Sequence, residues 1–200
     1  MGDMIDYVSN DCNMDADLYF KLFLSSNVCK AIENGNPKYI LGRSGIDIAK
    51  DVVLDKIGKT LIEIPQERFS RSPEYWAGWA IAYYQWFSAR KFAEINCVLP
   101  FSTLTVLYST LHEADISKFV SVANKKMKEA FPDTRLKTLR TVYGYSQSEL
   151  SKASGVGLRS IQMYEQRNKD INKASGQTLK QLSSVLGCAM EDLLEPNWDE

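Results

Sequence analysis

A single glycine, Gly155, divides two short helical patterns that each carry their own start signal, and this restricts the chain more than any other feature of its sequence. Ser146 stands three residues ahead of Glu149, the spacing at which serine and glutamate satisfy each other's exposed backbone N–H groups at a helix start. Leu150 and Ala153 follow on the face expected to turn inward. At Gly155 the chain must reverse sharply, and a left-handed residue there costs a side chain about 1–2 kcal/mol that glycine escapes. Val156 and Ile161 are expected to plug the space beneath the turn, with a helix over 158–166 leaving on its far side. Helices joined so tightly must cross steeply.

Similar punctuation continues on both sides. Leu136, Leu139 and Arg140 belong to a helix that ends near Gly144. A fourth helix spans 175–186 with Gly187 closing it, and a fifth covers 190–194. A five-helix domain is therefore placed at 135–194. Its charge sets it apart: residues 135–190 hold nine Lys or Arg and three Asp or Glu, whereas the whole chain carries −1. A local excess of that kind suits a polyanionic partner.

The run Ser146-Gln147-Ser148-Glu149-Leu150, with Ala153, Gly155-Val156, Ile161 and Tyr164-Glu165, resembles the Xre (Cro and phage-repressor) family of helix-turn-helix regulators. Leu182, Leu186-Gly187 and Glu191-Asp192-Leu193-Leu194 extend the resemblance to the end of the domain. It implies a lambda-repressor-like domain that binds double-stranded DNA, commonly as a homodimeric repressor, with its third helix in the major groove. Facing away from Val156, Ile161 and Tyr164 are Gly157, Leu158, Arg159, Ser160, Gln162 and Met163, the residues this implies for DNA contact. Arg159 either forks onto guanine O6 and N7 or holds a phosphate. Gln147, opening the second helix, is implied on a phosphate, and Arg167, Lys169 and Lys173 on the DNA backbone past the recognition helix. The resemblance also implies an ion pair between Arg140 and Glu165. Three features depart from the family's habit. Gly157 stands where a capping serine or threonine is usual. Leu158 and Met163 are apolar, suiting thymine methyl groups or a neighbouring surface. Arg167 replaces a glycine, which leaves the left-handed turn to Asn168.

Residues 1–131 read as a separate helical domain for partner binding, dimerisation or sensing, so the whole chain is classed as all-α. Asp15 and Asp17 open one helix over 15–33, with Leu18, Leu22 and aromatic neighbours at helical spacing. A second starts near Ser44, turns Ile46, Ala49, Val53 and Ile57 inward, and ends at Gly58. Thr60 to Ile64 suit an extended segment, and 65–71 a loop. Ser72-Pro73-Glu74 is a strong start for a helix reaching about Arg90. Seven of its thirteen residues from 75 to 87 are aromatic, spread over more than one face, so this helix is either the centre of a core or partly a partner surface. Helices over 102–113 and 115–130 follow, the latter with Ile116, Phe119, Val120, Ala123 and Met127 opposite four lysines. The break Phe131-Pro132-Asp133-Thr134 is too short for a flexible tether. The runs Gly35-Asn36-Pro37-Lys38-Tyr39, Ser72 to Trp79 and Leu111 to Phe119 are similar to a group of gut-bacterial Xre regulators whose genes often neighbour small toxin-like genes. This second resemblance implies an alternative role as an antitoxin that neutralises a toxin protein and represses the shared operon; sensing of an effector is a third.

Other classes find little support. No run of about 18 apolar residues is present, so no membrane helix is expected, and the first residues lack the basic and apolar parts of a secretion signal. Cys12, Cys29, Cys97 and Cys188 are scattered, and with one histidine they form no metal-ligand spacing. Reduced thiols in a cytoplasm are the simple expectation. His112-Glu113 opens like a zinc-protease motif, but Ile116 stands where its second histidine belongs. No catalytic residue, metal or cofactor is assigned.

Overall fold

Helix starts in this chain are written in serine, threonine, asparagine and aspartate side chains that accept from a backbone N–H just ahead of them. In the computed structural model, which describes residues 1–66 and 68–196, Asp15 accepts from Leu18, Ser26 from Cys29, Ser44 from Asp47, Ser72 from Tyr75, Ser146 from Glu149 and Ser175 from Thr178. The described residues are helical with no strand among them. Thr60 to Ile64 join no ladder among the described residues, and the Glu63 carbonyl accepts instead from the Tyr7 hydroxyl at 2.9 Å. The contacts fall into two units, one of Met1–Met127 and another that begins at Lys128.

The first unit contains α1 (Gly2–Asp6), which runs into a wide π turn (Tyr7–Asp11), then α2 (Ala16–Ser25), α3 (Asn27–Glu33), α4 (Pro37–Ile40), α5 (Gly45–Ile57), α6 (Pro73–Ser88), α7 (Phe92–Val98), α8 (Phe101–Leu111) and α9 (Ile116–Ala130). Its centre is α1, packed against α5 and α6, with Met4, Ile5, Tyr7 and Val8 at most 1% exposed. Two glycines make room for it. A Cβ on Gly78 would lie 2.7 Å from the Met1 carbonyl oxygen, and one on Gly45 2.8 Å from the Met4 nitrogen. Gly45 is therefore a close-approach residue opening α5, not merely a turn.

Several expectations for this unit need correction. The helix foreseen over 15–33 is two, because Ser26 ends α2 and caps α3. Leu18 is exposed, and α2 buries Tyr19, Phe20 and Phe23 instead, where aromatic edges and faces meet at 4.8–6.1 Å with Phe92 and Phe101. Ile57 is likewise exposed, its place inside taken by Ile48 and Val52. The aromatic helix serves the core on part of its surface: α6 buries Trp76 and Tyr84 but leaves Trp86 85% exposed.

The second unit holds α10 (Arg135–Val142), α11 (Gln147–Ser154), α12 (Leu158–Glu165), a 3-10 turn (Ile171–Lys173), α13 (Gly176–Leu186) and a final 3-10 turn (Met190–Leu193). The fifth helix foreseen at 190–194 is thus a single tight turn. One apolar cluster joins the elements, built on Leu136, Leu150, Val156, Ile161, Tyr164, Ile171, Leu182, Leu186 and Leu193.

Candidate nucleic-acid interface

The start of α11 is a reciprocal cap. Ser146 N–H donates to the Glu149 carboxylate at 2.7 Å, and Glu149 N–H donates to the Ser146 hydroxyl at 3.1 Å. Hydrogen bonds from Ser146 favour the ionised carboxylate, so the Glu149 acid lies below its ordinary value of 4.5. Folding therefore favours deprotonation there. The stabilisation is complete above about pH 4.5 and is lost as pH falls through the lower folded value. Acid titration of helix content should show a Ser146→Ala chain losing less stability below pH 4.5 than the native chain; equal losses would contradict the assignment.

The turn after α11 is held by serines. Gly155 has φ of +73°. Ser151 donates its hydroxyl to the Val156 carbonyl at 2.7 Å, while Ser154 donates to the Leu150 carbonyl at 2.6 Å and accepts from Val156 N–H at 3.2 Å. Ser154 is buried and Ala153 exposed, reversing the expectation for Ala153. Four residues on from Leu150 is the inward position, and Ser154 can fill it because its hydroxyl closes two backbone bonds.

From this turn α12 leaves with Ile161, Tyr164 and Glu165 buried beneath it. Its other side carries Leu158 and Arg159 exposed, with Ser160, Gln162 and Met163 half-buried, preceded by exposed Gly157. These six residues share one helix and its N-terminal edge. Arg159 makes no side-chain bond or ion pair among the described residues. Gly157 caps α12 without a side-chain bond, and a Cβ placed on it would meet nothing within 4 Å. Its φ of −56° suits any residue. Gly157→Ser should therefore stabilise the unit by about 0.5–1 kcal/mol through capping and a less mobile unfolded chain. Thermal unfolding checks the sign, and a lowered Tm would count against an open site.

Two short helices joined about a left-handed glycine, the second backed by apolar residues and exposing Leu158 and Arg159 on its far side, form the decisive geometry. Residues 136–193 match the helix-turn-helix family model. The match supports a DNA-binding regulatory domain in this part of the chain. The chain matches no curated protein and no solved structure.

Within the helix-turn-helix, the structure brings Arg140 and Glu165 together. Arg140 Nε donates to Glu165 Oε1 at 2.6 Å, one terminal nitrogen to Oε2 at 3.0 Å, and the other to the Tyr145 carbonyl at 2.7 Å. The carboxylate pushes the guanidinium still higher than its ordinary value. Gln147 also donates to Glu165 Oε2, at 2.7 Å. Its amide thus links the start of α11 to the end of α12 and keeps a second N–H for another acceptor.

The residues beyond α12 behave differently from one another. Arg167, not Asn168, takes the left-handed conformation, with φ of +57°. Its guanidinium donates to the Pro132 carbonyl at 3.0 Å and lies 3.7 Å from the Glu195 carboxylate. It fastens the two ends of the unit, which offsets an αL backbone that an arginine does not favour. Lys169 lies over the Tyr164 ring, 5.3 Å from its centroid. Lys173 is extended into solvent, with Asp170 at 3.9 Å. Ser151, Ser154 and the Glu165 bond of Gln147 were missed in the sequence, although a serine four residues after an inward leucine was a usable signal for Ser154.

Among the described residues no group of His, Cys, Asp or Glu could hold a metal ion, and no helix is long and apolar enough to cross a membrane.

Proposed function

We propose that the chain is a sequence-specific transcriptional repressor that binds double-stranded DNA as a homodimer, with α12 in the major groove. The observation that carries this reading is the outward side of α12, where Arg159, with no side-chain partner among the described residues, stands beside Leu158, Ser160, Gln162 and Met163 while Ile161 and Tyr164 fix the helix from behind. A groove about 12 Å wide accepts such a helix. Arg159 is assigned to a guanine. Ser160 and Gln162 offer hydrogen-bonding groups, Leu158 and Met163 suit thymine methyl groups, and Gly157 lets the backbone come close. Phosphates fall to the second amide N–H of Gln147, to Lys169 and to Lys173. Arg167, committed to Pro132 and Glu195, adds positive potential in place of a direct contact.

One such domain covers few base pairs, so a symmetric pair on half-sites about one DNA turn apart supplies the needed specificity. Footprinting should show two protected half-sites upstream of the gene the protein controls. Uniform weak protection at moderate salt would defeat the proposal. The contact types separate by salt: Lys169→Ala should reduce the slope of log affinity against log salt by about 1 per half-site and weaken all sequences alike. A sequence-dependent effect with an unchanged slope would show that Lys169 reads bases.

A further inference from the structure

The first unit contains a cleft of about 420 Å³, lined by no residue of the helix-turn-helix unit. Arg71, Tyr75, Trp76, Trp79, Tyr108 and His112 line it. This lies within the roughly 300–1,000 Å³ of small-molecule sites. Its walls are rings. Tyr108 and His112 stack on each other at 4.2 Å between centroids and 23° between planes. Trp76 meets Tyr108 edge-on at 5.9 Å, and Trp79 is 42% exposed.

The charge of the cleft selects among the ligands that aromatic walls could take. Among the described residues no carboxylate lines it, although the exposed Glu113 lies 3.6 Å from Nε2 of His112 in its lining, and Arg71 pairs with none. Its guanidinium instead lies 4.0 Å from the centroid of the Tyr75 ring. A second cation, as in a quaternary ammonium, would be repelled by that guanidinium. A guanidinium lying over a ring keeps its N–H groups, which can fork a carboxylate in two parallel hydrogen bonds. The rest of the lining is mostly aromatic.

From this we infer that the cleft binds a small planar aromatic carboxylate, its ring against the tyrosine, tryptophan and histidine faces and its carboxylate on Arg71.

Titration calorimetry of the full chain without DNA tests this separately from the DNA-binding reading. The probes are benzoate, 2-naphthoate and indole-3-acetate, each beside its neutral amide, with tetramethylammonium as the opposite class. A bicyclic acid should bind saturably at one site, about ten- to hundredfold more tightly than its amide. In Arg71→Gln the acid should fall to the level of the amide, which itself stays unchanged. Trp79→Ala, altering a half-exposed ring, should weaken both. If Arg71→Gln fails to fold, the acid–amide difference in the native chain still decides. No saturable binding by any acid, equal binding of acids and amides, or preference for tetramethylammonium would overturn the inference.

Discussion

Glu165→Ala should destabilise the helix-turn-helix unit by about 3–5 kcal/mol, the cost of breaking a buried ion pair from one side. The Glu165 side chain is only 3% exposed and that of Arg140 12%. The carboxylate receives Nε and a terminal nitrogen of Arg140 and the amide of Gln147. Its removal leaves the guanidinium with the Tyr145 carbonyl as its one remaining acceptor from this set and strands the Gln147 amide. Surface ion pairs lose less than about 1 kcal/mol when broken, so the size of the effect reports the burial. Replacing both charges by apolar residues, Arg140→Met with Glu165→Leu, should recover much of the loss, since no uncompensated charge then stays inside. Amide hydrogen exchange over 136–193 measures both variants. A loss below 1 kcal/mol for Glu165→Ala would mean that water replaces the carboxylate and that the pair is not structural.

Gly78→Ala, inside α6, should lower the stability of the first unit by about 1–3 kcal/mol. Helix propensity alone argues the other way, because alanine gains about 1 kcal/mol over glycine in a helix interior. Contact decides the sign. The added methyl would sit 2.7 Å from the Met1 carbonyl oxygen and 3.0 Å from Ile5 Cγ1. Both neighbours belong to or adjoin the buried α1, and a main-chain atom cannot swing aside as a side chain can. Thermal unfolding of the full chain, followed by the near-ultraviolet signal of the first unit's tryptophans, should show the drop. A rise would mean that α1 is looser than its burial indicates.

How much was legible depended on whether a signal was local. Ser146, Glu149, Gly155 and Gly187 each declare a helix end within a few residues, and so the ends of α11 and α13 could be read directly. The outward side of α12 followed from the spacing of Ile161 and Tyr164. What failed was long-range. Nothing near Met4 or Ile5 indicates that a five-residue helix there becomes the centre of the first unit, because its partners lie on α5 and α6. The aromatic run of α6 was too uniform to say which rings face inward; α8 and α9, packed over Trp76 through Tyr108 and Phe119, settle that. The partners of Arg167 were hidden for a related reason. Its positive character suggested DNA, while Pro132 and Glu195, 35 and 28 positions away, claim its side chain.

The claim on which the function rests is that α12 reads bases through Arg159. Selection of bound duplexes from a randomised pool, run with the native chain and with Arg159→Ala, tests it most directly. The native chain should enrich a two-fold symmetric site, and the variant should lose preference for one guanine in each half-site, about 1–3 kcal/mol, while the other positions persist. An identical enriched site from both proteins, or none from the native chain, would contradict it.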